Sequence, residues 1–361
     1  MSSVARVGAL DGLRGVAILL VVAAHARPWN LPYAGEIGVS LFFTLSGFLI
    51  TSILLSEHRR TGSLDLVAFY ARRALRLVPG LVVLVAGASL LLWLVSDPRL
   101  EDGFGWQALA AVTYTSNFAQ AGGVEWPILG HTWSLAIEEQ FYLLWPASLL
   151  IALRRARSDR RRLSRLLLGL ALAALAWRLA APLLLGGDVS RIYYAPDTNG
   201  YGLLAGAALA ALPPDRRRLP APVGYASLLV VLGLCLTPAF PEGSVLSLYL
   251  VAAAALLALP VIAAAENLRL LAQRPLVVCG TLSYSWYLWN SPIINLRPGG
   301  EQVGTSLVFQ VALVLLSLAA ATVSYLCVER PALRLKQRFE RGSLELQGPV
   351  TPTVARSRMT G

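Results

Sequence analysis

The chain has 361 residues, of which 56% are apolar and only 14% charged, and it carries a net charge of +11. Soluble domains run nearer about 25% charged, and apolar runs of about 20 residues recur along the whole length. Composition therefore excludes an ordinary soluble globule and predicts an all-α polytopic membrane helical bundle. The positive charge does not imply a nucleic-acid partner, because the arginines cluster between apolar runs, as in cytoplasmic loops facing anionic lipid. Cys235, Cys279 and Cys327 each fall inside an apolar run, with no spacing for disulfides or a metal. They read as core filling, and no metal site is expected.

The first apolar run, Leu10 to Ala26, carries Arg14 near its start and His25 near its end. In a helix these residues, eleven positions apart, lie within roughly 20° of one face and about 16 Å apart along the axis. Charged or titratable groups are expensive in hydrocarbon, so the pair reads as functional. The alternative is that Arg14 snorkels to the headgroups and His25 is interfacial. A signal peptide is disfavoured by Asp11 and Arg14, which interrupt the run, and by the many runs that follow.

Further apolar runs cover 37–55, 79–95, 131–153, 166–185, 197–212, 223–238, 245–264, 276–296 and 304–328. A weaker stretch, 104–118, carries Gln107, Thr113, Thr115, Ser116 and Asn117 and is short for a span. If it crossed, the most basic loop, 154–165 with seven arginines, would lie outside. If it re-enters or lies at the interface, the cytoplasmic segments, with Arg14, hold 26 of the 31 Lys and Arg, as the positive-inside rule requires. The expectation is ten spans with both termini cytoplasmic in a multi-pass plasma (inner) membrane protein. Residues 1–335 form one membrane domain, and 336–361 are read as a disordered basic tail. No internal repeat with paired broken helices, as in many transporters, is evident.

Three segments can carry chemistry. FYARRALRLVPG places Arg72, Arg73 and Arg76 ahead of the third run, with Arg73 and Arg76 three apart on one helical face. They could grip phosphate, or serve only as a topology signal. HTWSLAIEEQFYLLWP brings Glu138, Glu139 and Gln140 into an otherwise apolar run, so at least one acid should face the interior, where His25 could partner it. LSYSWYLWNSPI interleaves Ser283, Ser285 and Asn290 with Tyr284, Trp286, Tyr287 and Trp289, either a sugar-binding groove or an interfacial aromatic belt. Ser46 and Gly47 read as close helix packing. Arg178 is a buried cation with no evident partner.

These residues together resemble the membrane-bound acyltransferase-3 family, integral membrane O-acyltransferases of carbohydrates and glycosides. The resemblance runs through LDGLRG with Arg14 and His25, GVSLFFTLSGFLITSILL, the arginines of FYARRALRLVPG, HTWSLAIEEQFYLLWP, LSYSWYLW and the closing VERPALR, up to about residue 335. It implies ten helices and a transfer from cytoplasmic acyl-CoA, most simply acetyl-CoA as co-substrate, to an acceptor at the other face. No permanently bound cofactor is implied. His25 would be the base, Arg14 its companion and Glu138 the acid that orients the imidazole or holds the acceptor. Arg73 and Arg76, with Arg72, would grip coenzyme A. Around them the motifs supply the expected substrate contacts Asp11, Ser46, Trp133, Ser134, Glu139, Gln140, Tyr142 and Asn290. Expected partners are the lipid bilayer, acyl-CoA and a carbohydrate, glycolipid or macrolide-type glycoside.

Two departures from the family pattern stand out. Asn290 replaces a histidine common after YLW, which removes any proton-transfer role there. Asn199 and Tyr201 stand where Arg and Asp are frequent, so acceptor contacts in that region differ. With no esterase-like domain after the last run, direct transfer is expected. The rival readings are a transporter or flippase for a lipid-linked or polyketide glycoside, and a non-catalytic membrane scaffold.

Overall fold

The computed structural model describes residues 3–25, 31–96, 101–157, 159–240, 244–295 and 306–334, with side chains from residue 8 onward except at 214. The expected tail beyond 335 lies outside these residues. Every regular element described is helical. The long helices are α1 (Ser3–His25), α2 (Ala34–Thr61), α3 (Leu66–Val95), α6 (Thr132–Arg155), α7 (Arg160–Leu184), α9 (Pro196–Ala211), α10 (Ala221–Leu234), α11 (Leu246–Ala264), α12 (Arg274–Asn295) and α13 (Leu307–Ser324). Short α4 (Phe104–Val112), α5 (Ser116–Ala121) and α8 (Val189–Tyr194) fill the connections.

Each of the ten apolar runs coincides with one long helix, so the protein is a multi-pass helical membrane protein. Six helices are long and apolar enough to cross a membrane by length and composition. Of the other four, α9 and α10 are short, while α6 and α12 carry the polar residues that line the interior. The ambiguous stretch 104–118 breaks into α4 and α5, of nine and six residues, each far too short for a hydrocarbon core of about 30 Å. Its polar residues turn inward: Gln107, Ser116 and Asn117 are buried, and Gln107 Oε1 accepts from Leu129 N at 3.1 Å.

Lipid tails are as apolar as leucine, so helices in a bilayer associate through close packing. At the α1–α12 contact a Cβ on Gly280 would sit 1.8 Å from the Asp11 carbonyl oxygen, and one on Gly15 would sit 2.1 Å from that of Leu276. The two backbones touch because neither residue has a side chain. Helix α3 stands at the edge, burying Leu77, Leu81, Leu84 and Leu92 and exposing Val82, Leu90, Trp93 and Leu94. Of the cysteines only Cys235 is core filling; Cys279 is half-buried and Cys327 exposed.

Candidate active site

Helix α1 presents Arg14 and His25 to two different cavities. Arg14 lines a cavity of about 320 Å³ with Ser46, Arg72, Arg73, Arg76, Glu138 and Tyr142. His25 lines another, of about 540 Å³, with Glu36, His131, Trp133, Tyr193, Tyr194, Tyr287 and Asn290. The helical spacing of the pair thus becomes a spacing of sites.

In the arginine cavity, Arg14 donates from Nε and Nη2 to Ser283 Oγ at 3.3 and 3.1 Å. The close α1–α12 contact at Gly15 and Gly280 brings these two side chains together. Asp65 caps α3 by accepting from Ala68 N at 2.9 Å, which sets Arg72, Arg73 and Arg76 on its next turns. Arg73 is committed to protein: Nη2 lies 2.8 Å from Glu139 Oε1, Nε lies 3.2 Å from both carboxylate oxygens, and the guanidinium sits 3.1 Å from the Tyr142 ring centre. In this structure the planar fork of Arg73, expected to grip coenzyme A, is occupied by a carboxylate. Arg72 lies 3.7 Å from Glu57. Arg14 and Arg76 line the cavity without an ion pair to a carboxylate among the described residues.

Adjacent residues on a helix point about 100° apart, and this separates the two acids. Glu139 faces α3, whereas Glu138 faces α2 and accepts from the hydroxyls of Ser46 and Tyr142, the latter at 2.7 Å. The hydroxyls of Tyr142 and Ser46 also meet each other. The expected pairing of Glu138 with His25 is thus not formed, because Glu138 belongs to the arginine cavity, one to two turns deeper than His131. Ser46 is part of this network while its neighbour Gly47 packs against Leu203 of α9, where a Cβ would lie 1.9 Å from a carbonyl oxygen.

In the histidine cavity, His25 Nδ1 lies 2.7 Å from the Val21 carbonyl. A carbonyl only accepts, so Nδ1 is the donor, and in the neutral imidazole Nε2 keeps its lone pair. Trp133 packs against Tyr193 and Tyr194, with ring centres 4.9 and 5.3 Å apart. Ser134 shares a 2.5 Å hydrogen bond with the Tyr287 hydroxyl, which donates to the His131 carbonyl at 2.8 Å. Asn290 is buried and lines the same cavity.

Four expected substrate contacts line neither cavity: Ser134 and Glu139, bonded as described above, and Gln140 and Asp11. Gln140 turns away to donate to Tyr114 O and Asn117 Oδ1, at 2.8 and 2.9 Å. Asp11 is within electrostatic range of Arg14 and Arg76 but does not line their cavity. The aromatic segment of α12 is neither a lipid-facing belt nor one groove. Trp286 and Trp289 are buried, Tyr284 donates to Leu77 O at 2.7 Å, and Tyr287, Asn290 and Ser291 reach the histidine cavity.

Three residues escaped the sequence reading. Glu36 reads as an acid at a helix start, and only a fold places it in one cavity with His25. His131 lies in a quoted motif, and its partner across the cavity is set by α12. Glu329 is buried because α13 ends in a π-turn over Tyr325–Glu329, where it accepts from Ser285 Oγ and lies in electrostatic range of Arg76. Such turns often mark functional positions.

A family model described as an acyltransferase domain matches residues 7–327. The peptidoglycan O-acetyltransferase OatA of Listeria monocytogenes is 33% identical over 351 residues, covering 90% of this chain and 55% of OatA. YrhL of Bacillus subtilis is 35% identical over 351 residues, 89% of this chain and 54% of YrhL. The O-acetyltransferase OatA of Staphylococcus aureus is 31% identical over 344 residues, 89% of this chain and 56% of that protein. The chain spans about half the length of these relatives, and no solved structure matches it. With Arg14, His25 and the arginines of α3 all falling inside the matched region, the chain belongs to the membrane-bound acyltransferase-3 family.

Proposed function

We propose that this protein is a membrane O-acyltransferase that moves an acetyl group from cytoplasmic acetyl-CoA to a hydroxyl of a carbohydrate acceptor. The observation that carries this reading is the placement of Arg14 and His25, one face of one helix, in two cavities at different depths. The relatives named as O-acetyltransferases support the acetyl group and a glycan acceptor such as peptidoglycan. Ten spans with both termini cytoplasmic, the arrangement favoured by the loop arginines, put the arginine cavity on the coenzyme A side.

In this reading Arg76 and Arg14, with Arg72 at the rim, bind the phosphates of coenzyme A through charge-assisted hydrogen bonds. The pantetheine arm extends toward the histidine cavity and carries the thioester with it. His25 Nε2 takes the proton of the acceptor hydroxyl as its oxygen attacks the thioester carbonyl carbon. The C–S bond breaks, the ester forms, and the proton passes to the departing thiolate. Glu138, Ser46 and Tyr142 line the donor path, and burial of the whole site makes each polar contact count for more than in water.

The test is transfer of radiolabel from acetyl-CoA to glycan in membranes containing the wild-type protein or His25→Ala. The expected result is coenzyme A release and labelled glycan with the wild type only. A transporter using the same charges predicts no dependence on acetyl-CoA, and that outcome would overturn the proposal.

A further inference from the structure

A third cavity, of about 480 Å³, lies across the Arg73–Glu139 pair from the arginine cavity. Arg73, Leu77 and Tyr142 border both, and Glu139 borders this one. Its remaining walls are the first half of α3, the corner between α4 and α5, and the middle of α6. The proposed transfer makes no use of it.

The polar side chains around this space already bond to protein. The Tyr70 hydroxyl donates to Leu143 O at 2.6 Å, the Thr113 and Thr115 hydroxyls meet at 2.9 Å, and the Gln140 amide donates to Tyr114 O and Asn117 Oδ1. Arg73 and Glu139 fork onto each other. What faces the space is therefore mostly carbon, and such a cavity suits neither water nor a ligand that needs hydrogen bonds.

The corner that closes the cavity is strained. Tyr114, which lines it, has φ +54°, a left-handed conformation that a residue with a Cβ disfavours. Strain of this kind persists only where the surroundings hold it, and here Gln140 of α6 grips the Tyr114 carbonyl at 2.8 Å. The corner is thereby fixed across the gap between α3 and α6. On its open side the cavity is continuous with the lipid-facing surface: Val78, Phe118 and Leu143 at its edge are exposed, and α3 is long and apolar enough to cross a membrane. Exposed apolar side chains on such a helix meet acyl chains.

We infer that this cavity is a lipid site. It takes one alkyl chain of a bilayer phospholipid, which enters past Val78, Phe118 and Leu143 and covers the face of the Arg73–Glu139 pair turned away from the arginine cavity. An empty space here forfeits dispersion contacts on every wall, and a chain from the adjoining lipid restores them. The chain also keeps water off the pair, and opposite charges shielded from water attract more strongly. Lipid in the cavity thus strengthens the contact between α3 and α6.

The experiment reconstitutes the purified full chain in phosphatidylcholine vesicles containing a trace of phosphatidylcholine with a diazirine midway along one chain, illuminates them, and maps the labelled residues by mass spectrometry. Label is expected on Leu77, which is 5% exposed, and on Tyr114, as well as on the outward-facing Trp93 and Leu94. Ala74→Trp, which puts an indole into the cavity, should lose the label at Leu77 and Tyr114 and keep it at Trp93 and Leu94. In detergent, added phosphatidylcholine should raise the thermal unfolding midpoint of the wild type and leave that of Ala74→Trp where it is. If Ala74→Trp does not fold, Val78→Trp takes its place. Label confined to outward positions, label at Leu77 that the tryptophan does not reduce, or an equal lipid-induced rise in both proteins overturns the proposal. None of these readouts depends on acetyl transfer, so their failure leaves the acyltransferase reading standing.

Discussion

Arg73 and Glu139 join α3 to α6 through a forked ion pair, with Nη2 2.8 Å from one carboxylate oxygen. Both side chains are largely buried. Removing one partner of such a pair strands a charge, which typically destabilises by about 3–5 kcal/mol. Glu139→Gln should therefore lower the thermal unfolding midpoint in detergent. The double variant Arg73→Met with Glu139→Met should lose less than the two single changes summed. Strict additivity would show that the pair is incidental.

His25 has its proton on Nδ1 because the Val21 carbonyl accepts there at 2.7 Å, and that orientation needs no carboxylate. His25→Ala should lower turnover by roughly 100-fold to 10,000-fold, the range for a lost general base. Glu138→Gln should lower turnover while leaving the acidic limb of the kcat/KM pH profile, which reports the base of the free enzyme, where it is. A shift of that limb would show that Glu138 acts on His25 after all, through a rearrangement absent from this structure.

Much of this was legible in the sequence, and what was not has a physical reason. The depths of Arg14 and His25 follow from helical rise alone, and the α3 arginines from a loop between two apolar runs. Adjacent Glu138 and Glu139 could not be assigned, because a sequence fixes the angle between them but not which helix lies on either side. The structure answers with Ser46 on α2 for one and Arg73 on α3 for the other. Glu36 was invisible for a related reason: an acid in the first turn of a helix already has a local explanation in the helix dipole. Only tertiary packing brings it near Arg178.

In the proposed reading, with Arg73 engaged, Arg14 and Arg76 hold the phosphates of the donor. A hydrogen bond to a charged group is worth about 1.5–3 kcal/mol, so Arg76→Ala should raise the KM for acetyl-CoA by roughly 10-fold to 150-fold with kcat little changed. Arg73→Lys keeps the charge and loses the fork, so it should act mainly on stability. Equal KM effects at the two positions would return Arg73 to the phosphate site.

The last expectation concerns what brings Arg14 and Ser283 together. A Cβ on Gly280 would lie 1.8 Å from the Asp11 carbonyl oxygen, a contact that backbone on both sides prevents from relaxing. Gly280→Val must push α12 away from α1, and Ser283, three residues further on, moves with it. The hydrogen bonds from Arg14 at 3.1 and 3.3 Å are lost, and the arginine cavity opens on that side. Folded Gly280→Val protein should bind acetyl-CoA more weakly than wild type, whereas Gly169→Ala, inside α7 with no neighbour within 4 Å, should bind it normally. Donor affinity equal in the Gly280→Val and wild-type proteins would show that the donor site does not depend on the α1–α12 contact.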